Sequence, residues 1–542
     1  MADSAVEAEY DYVVVGGGSA GCVVAARLSE DGRHSVLLLE AGGSDHKIKF
    51  MIPAAVLQLQ LTSEHDWAFP SEPDPTRNDR AEGWASGKVL GGSGSINGMV
   101  WVRGHPADFD QWAAAGCSGW DYGTVVEYFK RAETYVSGGD DKFRGRDGPI
   151  GVRKNRFNHP LTAAFISAAQ AAGHVYNDDY NGATQEGVGH TQYNISRGLR
   201  ASTSRAYIGG RRRGDNLTVA LNARVHRVLF DGPRAVGVEY ESQGRVATVR
   251  SRREIILSAG SIASPKLLML SGIGPSAELS RVGVPVLQDS PRVGQNLSDH
   301  AAASISYEVD IPTINTYFTP RRMVQAGIQL AMFRDGPLAA GPAHATLVGH
   351  LGPSTTPDYL IHLLPFALPG LERGRSVTKL VGDLKQYSAI TLVLLTLHPQ
   401  AKGAISLRSA NPNDPPLIRH SQLDDPVDVA AMIGCAEAAR AIVAESPLRE
   451  HIARELSPGG DVKGPDQWLD FLRGHTHRGL HPTGTCAMGA DPESVVDPEL
   501  KVRGVEGLRV IDASIIPTLT SGNTNAPAIM VGERGAALVL GS

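Results

Sequence analysis

The segment that most constrains the fold lies at the start of the chain. Residues 10–15 read YDYVVV, a short run of apolar and β-branched side chains that predicts a buried strand. Gly16-Gly17-Gly18-Ser19-Ala20-Gly21 follows, and then CVVAARLSED, which has helical spacing and no breaker. After a turn at Asp31-Gly32, SVLLLEAG predicts a second buried strand ending at Glu40. Glu40 stands at about the 20-residue interval expected of the acid in a dinucleotide-binding unit. In such a unit the glycines let backbone approach a pyrophosphate and the helix N-terminus supplies partial positive charge. The acid accepts hydrogen bonds from ribose hydroxyls, which disfavours NADP. It does not separate NAD from FAD, because both carry the same ADP half.

A chain of 542 residues is too long for one ordinary domain and predicts two intertwined ones. Its balance of 42% hydrophobic and 20% charged residues suits large buried cores, and 61 glycines with 33 prolines imply many turns. The net charge of −5, with no basic cluster beyond the loop trio Arg211, Arg212 and Arg213, argues against a nucleic-acid partner. Cys22, Cys117, Cys435 and Cys486 lie far apart with no CxxC, so neither a disulfide framework nor a metal site is expected. No signal peptide and no run of about 18 apolar residues is visible, which predicts a cytoplasmic chain without a transmembrane segment and leaves peripheral membrane contact open.

Two residues near the other end are candidates for the chemistry, although a loop histidine is more often a bystander than a base: His481, in HPTGTCAMG, and Asn523, in SGNTNAPAIM. Histidine takes up a proton near neutral pH, and asparagine donates to an oxygen without becoming charged. Together they can deprotonate an alcohol and hold its oxygen. Between the termini, the turn-rich segment 67–104 opens into Gly91-Gly92-Ser93-Gly94-Ser95; its apolar residues Trp84, Val89, Leu90, Ile96 and Trp101 predict a packed, ligand-facing loop. Residues 217–260 alternate as a β-meander that returns to a buried strand at Ile255–Leu257, followed by the helical SPKLLMLSGIG. In PRVGQNLSDH, His300 is expected to be structural, bonded to a nearby loop. Residues 301–473 hold strand-like runs and later helices, with Trp101, His344 and Phe366 as candidates for a pocket wall. The strand in 501–516, carrying Asp512, returns the chain to the nucleotide site and brings the His481 and Asn523 loops beside it.

These motifs, in this order, resemble the glucose–methanol–choline (GMC) family of flavin oxidoreductases across essentially the whole chain. GKVLGGSGSINGMVWVRGHPADFD (87–110) and GSIASPKLLMLSGIG (260–274) resemble the two family signatures, and VGQNLSDH, HPTGTCAMG and DASIIPTLTSGNTNAP follow. The flavour is that of bacterial choline-dehydrogenase-like and other alcohol dehydrogenases. The resemblance implies an α/β (α+β overall) fold: a Rossmann-like FAD-binding domain (1–150, 213–300 and 474–542) intertwined with a substrate-binding domain (151–212 and 301–473) built on an antiparallel sheet covered by helices. It implies FAD rather than NAD. Gly16, Gly18, Ser19, Ala20 and Gly21 would cradle the pyrophosphate, and Glu40 would hold the ribose. Trp67 and the backbone at Val225 would lie near the adenine. Val89, Ser93, Asn97, Gly98 and Met99 would face the diphosphate and isoalloxazine. Asp512, Ala513, Asn523, Thr524, Asn525 and Pro527 would close over the flavin, with His481 and Asn523 in the two active-site positions. Members that attach FAD covalently carry a histidine where this chain has Ile96, which implies noncovalent FAD. Leu480 replaces a residue that is often aromatic, and His475 and His477 do not match the motif.

The expected reaction is oxidation of an alcohol to an aldehyde or ketone. His481 takes the hydroxyl proton, Asn523 binds the oxygen, and hydride passes to flavin N5. Electrons then go to oxygen or to a quinone or dye. The absence of zinc-ligating cysteines and of Tyr-x-x-x-Lys removes zinc and short-chain dehydrogenases. An FAD-containing hydroxynitrile lyase of the same fold and a non-catalytic flavoprotein are the alternatives. With no evident acidic or aromatic cage, a neutral primary or secondary alcohol is preferred to choline.

Overall fold

The computed structural model describes residues 8–60, 63–209, 216–317, 319–367 and 388–541; Arg211–Arg213 lie outside them. β1 (Glu9–Val15), α1 (Ser19–Leu28) and β2 (Val36–Glu40) fall where the N-terminal pattern predicts them. Val13, Val14 and Leu38 have no exposed surface. Covered on both faces, such strands read as continuous apolar runs, each large side chain stabilising by roughly 1.5–3 kcal/mol through burial. The chain then contributes α2 (Pro160–Ala171) and β3 (Gly187–His190) to a second unit. It returns through β4 (Leu217–Leu221), β5 (Ala223–Asp231), β6 (Arg234–Ser242) and β7 (Arg245–Leu257) to α3 (Gly260–Leu270). The helical reading of 264–274 runs too far: Gly272, at φ +85°, breaks the helix, and Ile273–Gly274 pairs instead with Gln288–Asp289.

The second unit continues with β8 (Ala301–Val309), α4 (Pro320–Phe333), β9 (Ala345–Gly349), β10 (Tyr359–Leu364) and β11 (Ala389–Thr396). It closes with α5 (Pro426–Val443), β12 (Ile452–Ser457), α6 (Pro465–His475) and β13 (His477–Arg478). β14 (Leu508–Val510) and α7 (Asn525–Leu540) belong again to the first unit.

The first sheet has the order β4-β2-β1-β7-β6-β5, with β14 also paired to β7. Its β4, β2, β1, β7 and β14 are parallel, whereas β5, β6 and β7 form an antiparallel meander. Val13 lies in register with Leu37 on one side and Ile255 on the other. The carboxyl ends of the parallel strands therefore deliver Gly16, Glu40, Ser258 and Asp512 to one edge, where ligands bind in open α/β sheets. α7 packs on α1, where a Cβ on Gly532 would come within 2.9 Å of Ala20 O. The Ser19 hydroxyl donates to Asn525 Oδ1 at 2.8 Å, tying the start of α7 to the glycine motif.

The second sheet is antiparallel, in the order β12-β8-β11-β10-β9-β3, with β13 paired to β8. Ile305, Leu347, Ile361 and Leu392 pack with Phe165, Met432, Ala436 and Trp468 from the covering helices. The period of two then turns Thr346 and His362 to the opposite face. Ile405, Leu407 and Ile418, within the stretch between α-helical and sheet elements of the second unit, pack in the core of the first.

Candidate active site

A cavity of about 420 Å³ runs from the glycine motif to His481 and Asn523. Its wall includes Gly16, Gly18, Ser19, Ala20, Glu40, Trp67 and Val225 at one end. Ser93, Asn97, Gly98, Met99, Asp512, Ala513, Thr524 and Asn525 carry it towards the two active-site candidates. Three expected residues stand behind the wall. Gly21 packs so tightly that a Cβ would lie 1.9 Å from Gly16 O. Val89 is buried with Phe50, Leu59 and Ile96, and Pro527 is buried in α7.

The nucleotide end is built for close approach. Gly16 adopts φ +100°, and a Cβ there would meet Ser258 O at 2.5 Å; Gly92, at φ +54°, sits with its missing Cβ 2.7 Å from Gly18 Cα. Only glycine fits either turn. Glu40 accepts from the backbone N–H of Gly17 at 2.8 Å through Oε2 and of Gly42 at 2.7 Å through Oε1. Burial outweighs those bonds and raises its pKa to about 7. Trp67 stacks on Phe69, with Lys88 Nζ 4.7 Å and Arg224 Cζ 5.2 Å from its ring centroid. Nearer the other end, Arg200, which is buried, donates to Asn97 O at 2.7 Å and Asn97 Oδ1 at 2.9 Å; Asn97 Oδ1 also accepts from Met99 N, whose residue is held at φ +62°. Asp512 accepts from Gly260 N, Ser264 Oγ and Ser514 N, fixing the turn that bears Ala513.

At the chemical end, backbone pairing places the groups. Ala302 pairs with His477 and Ala301 with Arg478, so the residue entering β8, His300, lies beside the chain leaving β13 towards His481. Gly479 N donates to His300 O at 2.8 Å, and a Cβ on Gly479 would lie 2.9 Å from His300 Cβ. Asp299 accepts from His481 N at 2.7 Å and Leu480 N at 3.3 Å, and burial raises its pKa to about 6. Leu480 takes φ +63° and stays 40% exposed at the cavity wall.

The hydrogen bonds then fix the tautomers. His300 Nε2 lies 3.1 Å from Thr520 O, which can only accept, so that nitrogen carries the hydrogen. Burial holds His300 neutral, its pKa far below the ordinary value, so its Nδ1 is a lone pair. His481 Nδ1, 2.9 Å away, donates to it. His481 Nε2 is left as an acceptor and receives the Asn523 Nδ2–H at 2.9 Å. Desolvation, reinforced by nearby His362, lowers the His481 pKa to about 3. His362, on the site-facing side of β10, is bonded through Nδ1 to Thr346 Oγ1 at 3.0 Å; burial lowers its pKa to about 4, against the opposing effect of Asn523. The site thus presents a neutral imidazole, 9% exposed, whose accepting nitrogen faces an amide.

His300 is more than the structural residue the sequence suggests, because it sets the His481 tautomer. His362 and Arg200 carry no signal in the sequence, and Asp299 shows there only within the turn VGQNLSDH, beside His300. Trp101 lies away from the cavity, buried with its indole N–H donating to Glu133 Oε2 at 2.9 Å. His344 and Phe366 are also buried, and the His344 Nδ1 accepts from His159 N at 3.1 Å. His475 stacks on Phe471, and the His477 Nδ1 bonds to Arg478 O.

Family models described as GMC oxidoreductase match residues 10–302 and 399–532. The chain belongs to the GMC oxidoreductases. It is 40% identical to an oxygen-dependent choline dehydrogenase of Brucella melitensis over 98% of this chain and 96% of that one. Mitochondrial choline dehydrogenase of Mus musculus is 39% identical, over 98% and 90% of the two chains. Among solved structures, pyridoxine 4-oxidase from Mesorbium loti has a TM-score of 0.86 at 30% identity, covering 97% of this chain and 98% of that one. Formate oxidase from Aspergillus oryzae has a TM-score of 0.92 at 26% identity, covering 99% and 98%. This GMC protein is accordingly an FAD-dependent oxidoreductase acting on a CH–OH group, on the Rossmann-like fold its sequence resembles. Hydroxynitrile lyase chemistry is not favoured. Among the described residues, no helix is long and apolar enough to cross a membrane, and no His/Cys/Asp/Glu cluster could hold a metal ion.

Proposed function

We propose that His481 takes the hydroxyl proton of a small neutral alcohol while Asn523 holds its oxygen, beside noncovalently bound FAD. The observation that carries this reading is the relay Thr520–His300–His481–Asn523, which leaves a single lone pair, on His481 Nε2, aimed at the amide of Asn523. An entering hydroxyl would donate to that nitrogen and accept from Asn523 Nδ2, replacing the direct bond between the two side chains. Developing negative charge on the alcohol oxygen would then draw the proton onto His481, whose depressed pKa recovers beside an anion. His300 keeps Nδ1–H of His481 bonded throughout, so the ring is oriented before the substrate arrives.

The glycine turns fit FAD: they place backbone where any Cβ would collide, and Glu40 keeps lone pairs for ribose hydroxyls. Gly16, Gly18, Ser19, Ala20 and Gly21 would hold the pyrophosphate, Trp67 and Val225 the adenine end, and Asn97, Gly98, Met99, Asp512, Ala513, Thr524 and Asn525 the ring. FAD, when bound, supplies the hydride acceptor. Ile96 offers no nucleophile for a covalent link. Among the described residues lining the cavity, the carboxylates are Glu40 and Asp512 and the aromatic rings other than His481 are Trp67 and Phe69, all at the positions given above to FAD. A quaternary ammonium is recognised by such groups, so a neutral primary or secondary alcohol suits this wall better than choline. The names of the 40%-identical relatives favour choline, which makes it the second reading.

The test is anaerobic mixing of the purified flavoprotein with a panel of alcohols, choline included, while following the flavin band near roughly 450 nm. Bleaching by neutral alcohols, lost in a His481→Ala protein that retains FAD, is expected. Bleaching by choline alone overturns the substrate assignment, and unchanged bleaching in His481→Ala overturns the assigned base. Readmitting air separates oxygen from a quinone or dye as the acceptor.

A further inference from the structure

Among the described elements, α4 carries the most exposed large apolar side chains, outside the site described above. Of its 14 residues only Ala326 and Leu330 are buried. Val324, Ile328 and Met332, at i, i+4 and i+8, are 65%, 54% and 72% exposed, and Met323 beside them is 43% exposed. Gly327 and Ala331 continue the adjacent row that Met323 begins, and Phe333, 72% exposed, ends the helix. An apolar stripe this wide on a helix held by only two buried residues marks a surface with a partner.

The charge pattern indicates which partner. From 311 to 334 the chain has no Asp or Glu, while exposed Arg321 and Arg322 open the helix and Arg334 closes it, in a protein of net charge −5. A second copy laid antiparallel on this face would set Arg321 and Arg322 of one molecule beside Arg334 of the other. A parallel copy would stack like on like. An anionic lipid surface instead receives both features, with arginines at the headgroups and aliphatic side chains below them. The chain leaving α4 is anchored by Arg153 Nη2 to Ala339 O at 3.1 Å and runs to Pro342, which lies against Gly98 in the cavity wall. We propose that α4 docks this protein on anionic lipid bilayers, its apolar stripe lying in the interfacial plane.

Co-sedimentation of the FAD-loaded full chain with vesicles of phosphatidylethanolamine and phosphatidylglycerol tests this, with phosphatidylcholine vesicles as the neutral comparison. Binding is expected to the anionic vesicles, to weaken as salt rises, and to fall about tenfold or more in Ile328→Glu and in Val324→Glu. Arg321→Gln with Arg322→Gln should remove the preference for anionic lipid. Flavin content and melting temperature of each variant should match the parent, since these side chains are exposed. Parent protein that ignores both vesicles overturns the proposal, as does binding that survives Ile328→Glu. A dimer in light scattering that Ile328→Glu splits into monomers assigns the face to a second copy and overturns it equally.

Discussion

His481 and His300 present one hydrogen between two Nδ1 atoms 2.9 Å apart, and the outcome is settled by a third group, Thr520 O. Removing that acceptor chain is informative because it leaves His481 in place. In His300→Phe the His481 Nδ1–H loses its partner, and an unsatisfied buried donor costs about 1–3 kcal/mol. The ring then has reason to carry its hydrogen on Nε2, where it cannot accept a hydroxyl proton. Turnover is expected to fall roughly 10- to 100-fold, with KM changed less and FAD retained, on the scale of other partners that orient a reactive group. Steady-state kinetics across pH checks this: a fall in KM-independent turnover with an altered pH profile supports the role, and parent-like kinetics removes it. The sequence made His481 and Asn523 legible because each sits in a local motif. It did not reveal what His300 does, since its relation to His481 depends on two strands pairing across more than a hundred residues. His362 was invisible for a related reason: YLIHLL reads as a buried strand, and only the sheet period assigns its histidine to the site-facing side.

At the scale of elements, the strand-to-helix turns hold the site, and glycines set how close they come. Gly479 separates β13 from the His481 loop, and its missing Cβ is 2.9 Å from both His300 Cβ and His300 O and 3.1 Å from His481 Nδ1. Gly479→Ala should therefore push the two imidazoles apart without touching the nucleotide end, lowering turnover about tenfold or more while flavin content stays at the parent level. Gly16→Ala acts at the other end. It combines a φ of +100° with a Cβ 2.5 Å from Ser258 O, a conformation whose strain alone is about 1–3 kcal/mol. Protein purified with little flavin is expected, read from the ratio of flavin to protein absorbance. The first βαβ turn was legible because its glycines, helix and acid are consecutive. The end of α3 is not legible because LSGIG continues an apolar helical pattern, whereas Gly272, at φ +85°, leads into the pairing of Ile273–Gly274 with Gln288–Asp289.

Across the whole molecule, burial shifts imidazoles and carboxylates in opposite directions, and their balance sets how stability depends on pH. Burial lowers His344, His420 and His481 to about 3 and His362 to about 4, and takes His300 well below its ordinary value. Between those values and the unfolded value near 6.5 the unfolded chain binds the extra protons, so each of these groups makes stability rise with pH. Glu40 and Asp108, raised to about 7, and Asp299, raised to about 6, do the reverse: their contribution is present at low pH and is lost as pH rises through the folded value. Near pH 5 the five imidazoles outnumber the three carboxylates; burial raises Asp66 and Asp428 in the carboxylate sense, and lowers His159, His174, His190, His398 and His477 in the same sense as the five. The FAD-loaded protein should therefore gain stability from about pH 4.5 to about pH 6.5. Just above that, the imidazoles are neutral in both states while Glu40 and Asp108 still lose theirs, so the curve flattens or turns down. His420 isolates one imidazole's share. Its ring packs edge-on against Trp84 with neither nitrogen bonded, away from His481. His420→Phe keeps a ring of similar shape and removes one titrating group, which should reduce the slope on the acid side by up to about 1.4 kcal/mol per pH unit. Thermal midpoints of both proteins at fixed excess FAD between pH 4.5 and 7.5 decide it: curves that converge at high pH and separate towards low pH, with the variant the more stable, support the assignment. Parallel curves would place the acid sensitivity in other groups.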